Sequence, residues 1–250
     1  MKKAASNFAF VIFPLVCVLL LWWSSPAMSQ VAFRDSAPLP LALAARQPRS
    51  VTGQQRVLAS PHFRLHYPAR IEQRDAEAVL RTLEAARSDV LRRLDAASLS
   101  FTGPQMLEVI IHDTTGDFVA ATGQPWWAAA ATRERRIELQ PLEVLRRRRV
   151  LATTLRHEYA HTVIETLSDG RAPRWLAEGL ALHVAGEGAM LVRLKTKTRL
   201  TPVEIERGLA RPASAQAMRA LYAAAYREVQ ALIRAKGEAA VWRHIRGMKN

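Results

Sequence analysis

Two histidines, His157 and His161, lie four positions apart, and Glu158 directly follows the first. On an α-helix, residues four apart share one face, so both imidazoles can reach a single metal ion. Glu158 lies about 100° further round the helix, where it can accept a proton from metal-bound water without being a ligand. Neutral imidazole suits zinc, and a zinc ion with three protein ligands keeps one position for water. The spacing therefore predicts a hydrolytic metal site.

The third metal ligand has to come from outside this stretch. A class with a third histidine six positions after His161 is excluded, since Leu167 stands there. Glu178 is the favoured candidate because it lies on the next predicted helix, behind a short turn, and two helices joined by a short loop can pack side by side. Asp169, within the turn, and His183, five positions after Glu178, are weaker rivals.

Two segments of the chain resemble a known family. The stretch HEYAH at 157–161, followed by PRWLAEGLA at 173–181, is similar to the peptidase MA-like family, zinc metallopeptidases of the gluzincin type with the zincin fold. The resemblance extends over about residues 56–245, although only these two segments match specifically. It implies that the two histidines and Glu178 bind one zinc ion per chain, and that Glu158 is the general base.

The resemblance also implies a mechanism and a further catalytic residue. Zinc polarises a water molecule and the scissile carbonyl, Glu158 takes the proton of the water, and the resulting oxyanion needs a nearby donor. A tyrosine on the C-terminal helix suits that role. Tyr222 is the first choice and Tyr226, one turn later, is the alternative, although either could equally be a core or surface tyrosine.

The beginning of the chain has the layout of an export signal. In residues 1–29, Lys2 and Lys3 precede the apolar run Phe8–Trp23, which is followed by small residues suited to cleavage. An uncleaved membrane anchor is the alternative, since the run is slightly long for a signal peptide and short for a membrane span. Either way, the body of the protein is expected outside the cytoplasm, in the periplasm or secreted. Cys17 is the only cysteine, so the mature chain has no thiolate ligand and no disulfide.

Hydrophobic periodicity predicts an α+β fold, with a small mixed sheet followed by a mostly helical C-terminal half. Residues 30–55 are rich in proline and are interpreted as a linker or arm, and 56–250 as one zincin-like domain. Residues 114–124 are expected to form a loop, with a turn around Phe118 as an option. Strands are predicted within 56–67, over 106–112 and over 135–140, the last as a candidate edge strand. Helices are predicted over 75–97, from about 142 or 147 to 167, over 173–185, 202–209 and 214–236, and as a final short helix that ends at 245.

The chain is strongly basic, with a formal net charge of +14. For an exported protein, this favours an anionic membrane surface or an acidic envelope polymer over nucleic acid, although plain solvation of arginine is the simpler explanation. Arg146–Arg149 is interpreted as a solvated helix start or a site for an acidic partner. Trp126–Trp127 could pack in the core or wall a substrate pocket. Glu165 is interpreted as a solvated carboxylate at a helix end or, alternatively, as a residue that orients a ligand imidazole. The oligomeric state is left open.

Three functions compete. The favoured one is an exported zinc metallopeptidase that hydrolyses a peptide or protein substrate. The second is a zinc-binding scaffold that does not cleave peptides, and zinc uptake without hydrolysis would support it. The third is a basic module that binds an anionic envelope surface, in which His157 and His161 are a chance pair on a helix surface and no metal binds.

Overall fold

The computed structural model describes residues 54–249 except 102, 104, 134, 135 and 192–199. The predicted signal peptide or anchor, with Cys17, and nearly all of the predicted linker lie outside these residues. Within them the chain adopts the expected α+β class, with a small mixed sheet and a mostly helical second half. No helix in this part of the chain is long and apolar enough to cross a membrane.

Five strands and nine helices are formed by the described residues. The strands are β1 Gln55–Ala59, β2 Phe63–Pro68, β3 Leu107–Ile111, β4 Ala130–Arg133 and β5 Arg136–Leu139. The helices are α1 Gln73–Ala96, α2 Thr115–Thr122, α3 Leu142–Arg147, α4 Leu151–Ser168, α5 Arg174–Ala185, α6 Gly188–Leu191, α7 Pro202–Ala210, α8 Ala215–Lys236 and α9 Glu238–Gly247. The strand order is β1-β2-β3-β5-β4. The pairs β2–β3 and β3–β5 are parallel, and the two outer pairs are antiparallel.

The sheet is joined to the helices by alternating apolar residues. In β2, Phe63, Leu65 and Tyr67 are buried, whereas Arg64 between them is exposed. The ring of Phe63 meets the ring of Tyr159 in α4 edge to face, with their centroids 5.7 Å apart. This contact helps to fix the helix that carries the histidine pair on the sheet.

The strand predicted at a sheet edge is in an interior position. β5 is hydrogen-bonded to β3 on one side and to β4 on the other, and β4 is the last strand at this end of the described sheet. Ile137 and Leu139 are fully buried there, which accounts for the interior position. The sequence did not indicate β4 because it begins in the alanine run Ala128–Ala131, which has neither polar alternation nor strong strand propensity.

Two other local predictions were wrong. The expected loop at 114–124 contains α2, whose start is a capping box formed by Thr114 and Asp117. The single helix predicted from about 142 or 147 to 167 is instead two helices, α3 and α4, separated by a break at which Arg149 has a φ of 57°. A left-handed residue cannot continue an α-helix, so the chain changes direction immediately before α4.

Helix α8 crosses α5 at Gly179, directly after Glu178. A Cβ atom on Gly179 would lie 2.5 Å from the carbonyl oxygen of Ala225 and 2.5 Å from Val229 Cγ2. The nearest obstacle is backbone, which cannot rotate away as a flexible side chain can. The close approach of the two helices therefore requires glycine at this position.

We expect Gly179→Ala to lower the free energy of unfolding by about 1–3 kcal/mol, because α5 and α8 must separate to admit the methyl group. Gly247→Ala is the matched control, since its added Cβ meets open space at the end of α9. The control should be neutral or stabilising by up to about 1 kcal/mol. Urea unfolding of both variants measures the difference; equal stability would show that α8 can shift freely.

Glu238 joins three helices through its carboxylate. Its Oε1 accepts hydrogen bonds from Arg93 Nη1 in α1 at 2.8 Å and from Trp242 Nε1 at 3.1 Å. Its Oε2 lies 3.2 Å from His183 Nε2 in α5. Burial acts to raise the pKa of Glu238, but the hydrogen bonds from His183, Arg93 and Trp242 outweigh it and lower the pKa from 4.5 to about 2.

This lowered pKa gives a pH-dependent contribution to stability. The carboxylate of Glu238 binds its proton less tightly in the folded chain, so its stabilisation is present above about pH 4.5 and is lost as the pH falls towards about 2. We expect Glu238→Gln to cost on the order of 2–3 kcal/mol at pH 7 and progressively less below about pH 4.5. Urea unfolding over this pH range, with the exposed Glu143→Gln as control, measures it. A difference independent of pH would contradict the assignment.

Candidate metal centre

The histidine pair lies in the middle of α4, a helix buried on most of its surface. His157 and Glu158 are fully buried and His161 nearly so, and the apolar residues of the helix pack into the main core. Ionisable groups are costly to bury unless they are paired or bind a metal. The burial of these three therefore requires an explanation that core packing alone does not give.

Helix α5 brings Glu178 to the same place. After α4 ends, Asp169 and Gly170 both have left-handed backbone conformations, with φ of 54° and 70°, and the chain reverses. α5 then packs along α4, and Glu178 becomes buried against both histidines. The Nε2 atoms of His161 and His157 lie 3.3 and 3.4 Å from Glu178 Oε2.

The three potential ligand atoms form a small triangle. The two Nε2 atoms are 2.9 Å apart, and each lies 3.3–3.4 Å from Glu178 Oε2. In a tetrahedral site with bonds of about 2.0–2.1 Å, neighbouring ligand atoms are separated by about 3.3 Å. The dimensions fit a single ion, so His157, His161 and Glu178 could together bind a metal.

The rival third ligands lie elsewhere. Asp169 is exposed in the turn, where its carboxylate lies 3.9 Å from Arg171. His183, on α5, contacts Glu238 and also lies 2.9 Å from Gln230 Nε2 through its Nδ1. Among the residues that the structure describes, the only group of three or more potential ligands within metal-binding distance is the one containing Glu178.

Glu158 is held on one side only. Its Oε2 accepts a hydrogen bond of 2.6 Å from the hydroxyl of Thr132 on β4. Its Oε1 is buried and has no hydrogen-bond partner among the described residues. Burial raises the pKa of Glu158, and this outweighs the opposing effect of the nearby histidines. A carboxylate with one fixed oxygen, one available oxygen and a raised pKa is suited to accepting a proton.

Without a metal, the cluster would hold a proton. Burial acts to lower the pKa of His157, but its contacts with Glu178 and Glu187 outweigh that effect and raise it to about 10. Burial acts to raise the pKa of Glu178, but the two histidines lower it to about 2. A cation between these carboxylates is therefore strongly favoured, and a metal ion would take the place of that proton.

Glu187 is a residue of the centre that the sequence did not indicate. It follows α5, is almost fully buried, and its Oε2 lies 3.6 Å from Nδ1 of His157, the ring nitrogen that faces away from Glu178. Glu165 is half-buried and lines the same pocket as His161, and its suggested role in orienting a ligand imidazole stays a prediction. The signal in the sequence that could have indicated Glu187 is its position directly after Gly186, at the end of a helix.

A pocket opens beside the potential ligands. His161 and Glu178 form part of its wall, and Thr132, which is hydrogen-bonded to Glu158, forms another part. Its other lining residues are Ile164, Glu165, Ser168, Gly170, Ala172, Arg174 and Ala177. Solvent or a substrate group can thus reach the centre from one side.

The two tyrosines proposed for the oxyanion lie on α8. Tyr222 is buried in a second apolar cluster that also contains Phe118 and Leu182. Tyr226 is half-buried, and its ring packs over Gly188. The oxyanion role of Tyr222 stays a prediction.

The basic run and the tryptophan pair are neighbours in space. Arg146 pairs with Asp75 of α1, and Arg148 Nη1 donates a hydrogen bond of 3.2 Å to the carbonyl oxygen of Trp127. Trp126 is 64% exposed, so the expectation of core packing was wrong for it. An anionic partner for this surface stays a prediction.

Comparison with known proteins finds no matching family model, no matching curated protein and no matching solved structure. The geometry of the centre is therefore the basis for interpreting its function.

We expect each wild-type chain to bind one zinc ion, and we expect the bound ion to stabilise the fold. Zinc at about 100 times its Kd should raise the free energy of unfolding by about 2.7 kcal/mol. In Glu178→Ala this gain should largely disappear because one ligand is missing, whereas Asp169→Ala should behave as wild type. Elemental analysis and thermal unfolding with added zinc measure both effects. Full zinc binding by Glu178→Ala would exclude Glu178 as the third ligand.

Proposed function

We propose that this protein is an exported zinc metallopeptidase of the peptidase MA-like, gluzincin type, with a zincin-like domain that hydrolyses peptide bonds in peptides or proteins. The observation that carries the proposal is the buried cluster of His157, His161 and Glu178 with Glu158 beside it. The α+β fold is compatible with such a domain. Export is supported by the sequence of residues 1–29.

Zinc is the metal that best suits this centre. Two imidazoles and one carboxylate form a donor set of catalytic zinc sites, which use three protein ligands and keep another position for water or substrate. Purely oxygen-based sites suit calcium and magnesium instead. The pocket beside His161 and Glu178 supplies access to that further position.

Glu158 performs the proton transfers in the proposed reaction. Bound zinc would supply a Lewis acid that makes water more acidic and polarises the scissile carbonyl. Oε1 of Glu158 accepts a proton from the attacking water as the water oxygen bonds to the carbonyl carbon. The same carboxyl then gives the proton to the amide nitrogen as the carbon–nitrogen bond breaks. The hydroxyl of Thr132 holds Oε2, which leaves Oε1 as the oxygen available for the proton transfer.

The end strand β4 supports a position for the substrate. Within the described sheet, β4 is paired with β5 on one side only. Its Thr132 is hydrogen-bonded to Glu158 and lines the pocket. An extended peptide can add to such an edge through backbone hydrogen bonds. A substrate on β4 would then run past Glu158, with the scissile bond at the metal.

The deciding experiment separates metal binding from cleavage. We expect the wild-type chain to hydrolyse members of a mixture of quenched fluorescent peptides, and Glu158→Gln to lose about 10²–10⁴-fold in kcat while keeping its zinc. Glu77→Gln, on the exposed face of α1, is the control and should match wild type in both. Peptide fluorescence and elemental analysis are the measurements.

Each alternative function predicts a different result. Zinc uptake by the wild-type chain with no cleavage of any peptide would support the non-proteolytic scaffold. No zinc uptake by folded protein would contradict the peptidase and favour a basic surface-binding module. Cleavage that persists in Glu158→Gln would exclude Glu158 as the general base.

A further inference from the structure

We propose that Glu187 is a positioning residue that holds the ring of His157 in the orientation and tautomer of a metal ligand, an inference that rests on the proposed function. Its Oε2 lies 3.6 Å from His157 Nδ1, and both side chains are fully buried. The opposite nitrogen, Nε2, faces Glu178 and His161. His157 is thus held between the ligand cluster on one side and a carboxylate on the other.

The chemistry of imidazole explains what the carboxylate does. To bind a metal through Nε2, His157 must be neutral and carry its single ring proton on Nδ1. A carboxylate facing Nδ1 favours that tautomer, fixes the plane of the ring and makes Nε2 a stronger donor to the metal. Glu187 is placed to do all three, with its Oε2 3.6 Å from Nδ1, slightly beyond the usual length of a hydrogen bond.

The end of α5 directs Glu187 inwards. Gly186 has a left-handed φ of 77°, and the amide of Glu187 donates a hydrogen bond of 3.1 Å to the carbonyl oxygen of Leu182. This is the hydrogen bond of a Schellman motif, which reverses the chain at a helix end. The reversal turns the chain back towards the core immediately after α5, and the carboxylate lies beside His157.

The next residue anchors the same turn. A Cβ atom on Gly188 would lie 2.0 Å from the ring of Tyr226 in α8, so the aromatic ring rests directly on the backbone at this point. Gly186 thus supplies the left-handed turn before Glu187, and Gly188 leaves room for the tyrosine ring after it. The position of the carboxylate is set by backbone conformation and by α8, not only by its own side chain.

A purely structural role for Glu187 predicts different effects on stability and on zinc affinity from those of a positioning role. If the carboxylate only supported the fold, Glu187→Gln would destabilise the metal-free protein and leave its zinc affinity intact. If it positions His157, the neutral amide, which also avoids burying a charge, should leave the metal-free protein folded and weaken zinc binding. The two readouts therefore separate the roles.

The test compares four chains. Zinc Kd is measured by competition with a chromophoric chelator for wild type, Glu187→Gln, Glu187→Asp and Glu138→Gln, and urea unfolding of each is measured without metal. Glu138→Gln is the matched control because Glu138 also pairs with a histidine, the half-buried His112, at 2.7 Å, and neither belongs to the group of potential metal ligands. We expect roughly a 10–100-fold higher zinc Kd in Glu187→Gln. An intermediate Kd is expected in Glu187→Asp, which keeps the charge, and a wild-type Kd in the control.

Failure of this inference differs from failure of the proposed function. Wild-type zinc Kd in a folded Glu187→Gln protein overturns the positioning role, whatever the peptidase activity. An equal loss of zinc affinity in Glu138→Gln overturns it as well, because the effect would then be general. Zinc binding without peptide cleavage contradicts only the peptidase, and the Kd comparison still decides the role of Glu187. No zinc binding by the wild type overturns both.

Discussion

The interior of this protein contains a cluster of ionisable groups that can be stable only if they neutralise one another or share a metal. His157, His161, Glu158 and Glu178 are buried where water cannot solvate their charges. Two carboxylates and two imidazoles from α4 and α5 meet there, and Glu187 adds a third carboxylate. The cluster is enclosed by four elements, α4, α5, α8 and the end strand β4. Their packing brings these groups together and excludes water from most of them.

Each surrounding element meets this constraint at a particular residue. Helix α8 approaches α5 closely because Gly179, next to Glu178, leaves room for the carbonyl of Ala225. Strand β4 contributes a single hydroxyl, that of Thr132, which fixes one oxygen of Glu158 and leaves the other available. The sheet supports the opposite side of α4 through the contact of Phe63 with its tyrosine. The positions of the buried polar side chains thus depend on the steric, polar and apolar contacts that surround them.

The sequence predicted those parts of the centre that depend on local spacing. His157 and His161 follow from the period of one helix, and Glu178 from the next helix behind a short turn. Thr132 and Glu187 were not predicted, because their contacts depend on sheet register and on the reversal after α5 rather than on spacing. The α+β class was predictable from the local periodicity of apolar residues. The interior position of β5 was not, because it depends on which strands pair, and β4 was not, because its alanine run has no strand pattern.

If His157, His161 and Glu178 bind a metal, their division between two helices has a consequence for the order of assembly. The two histidines are neighbours in any state in which α4 is helical, but Glu178 joins them only when α5 has docked. A partly folded chain therefore offers a two-coordinate site, and the third ligand arrives with tertiary structure. Metal capture at full affinity would then take place late, after the α4–α5 hairpin closes, and a chain that fails to close it would release its ion to competing chelators.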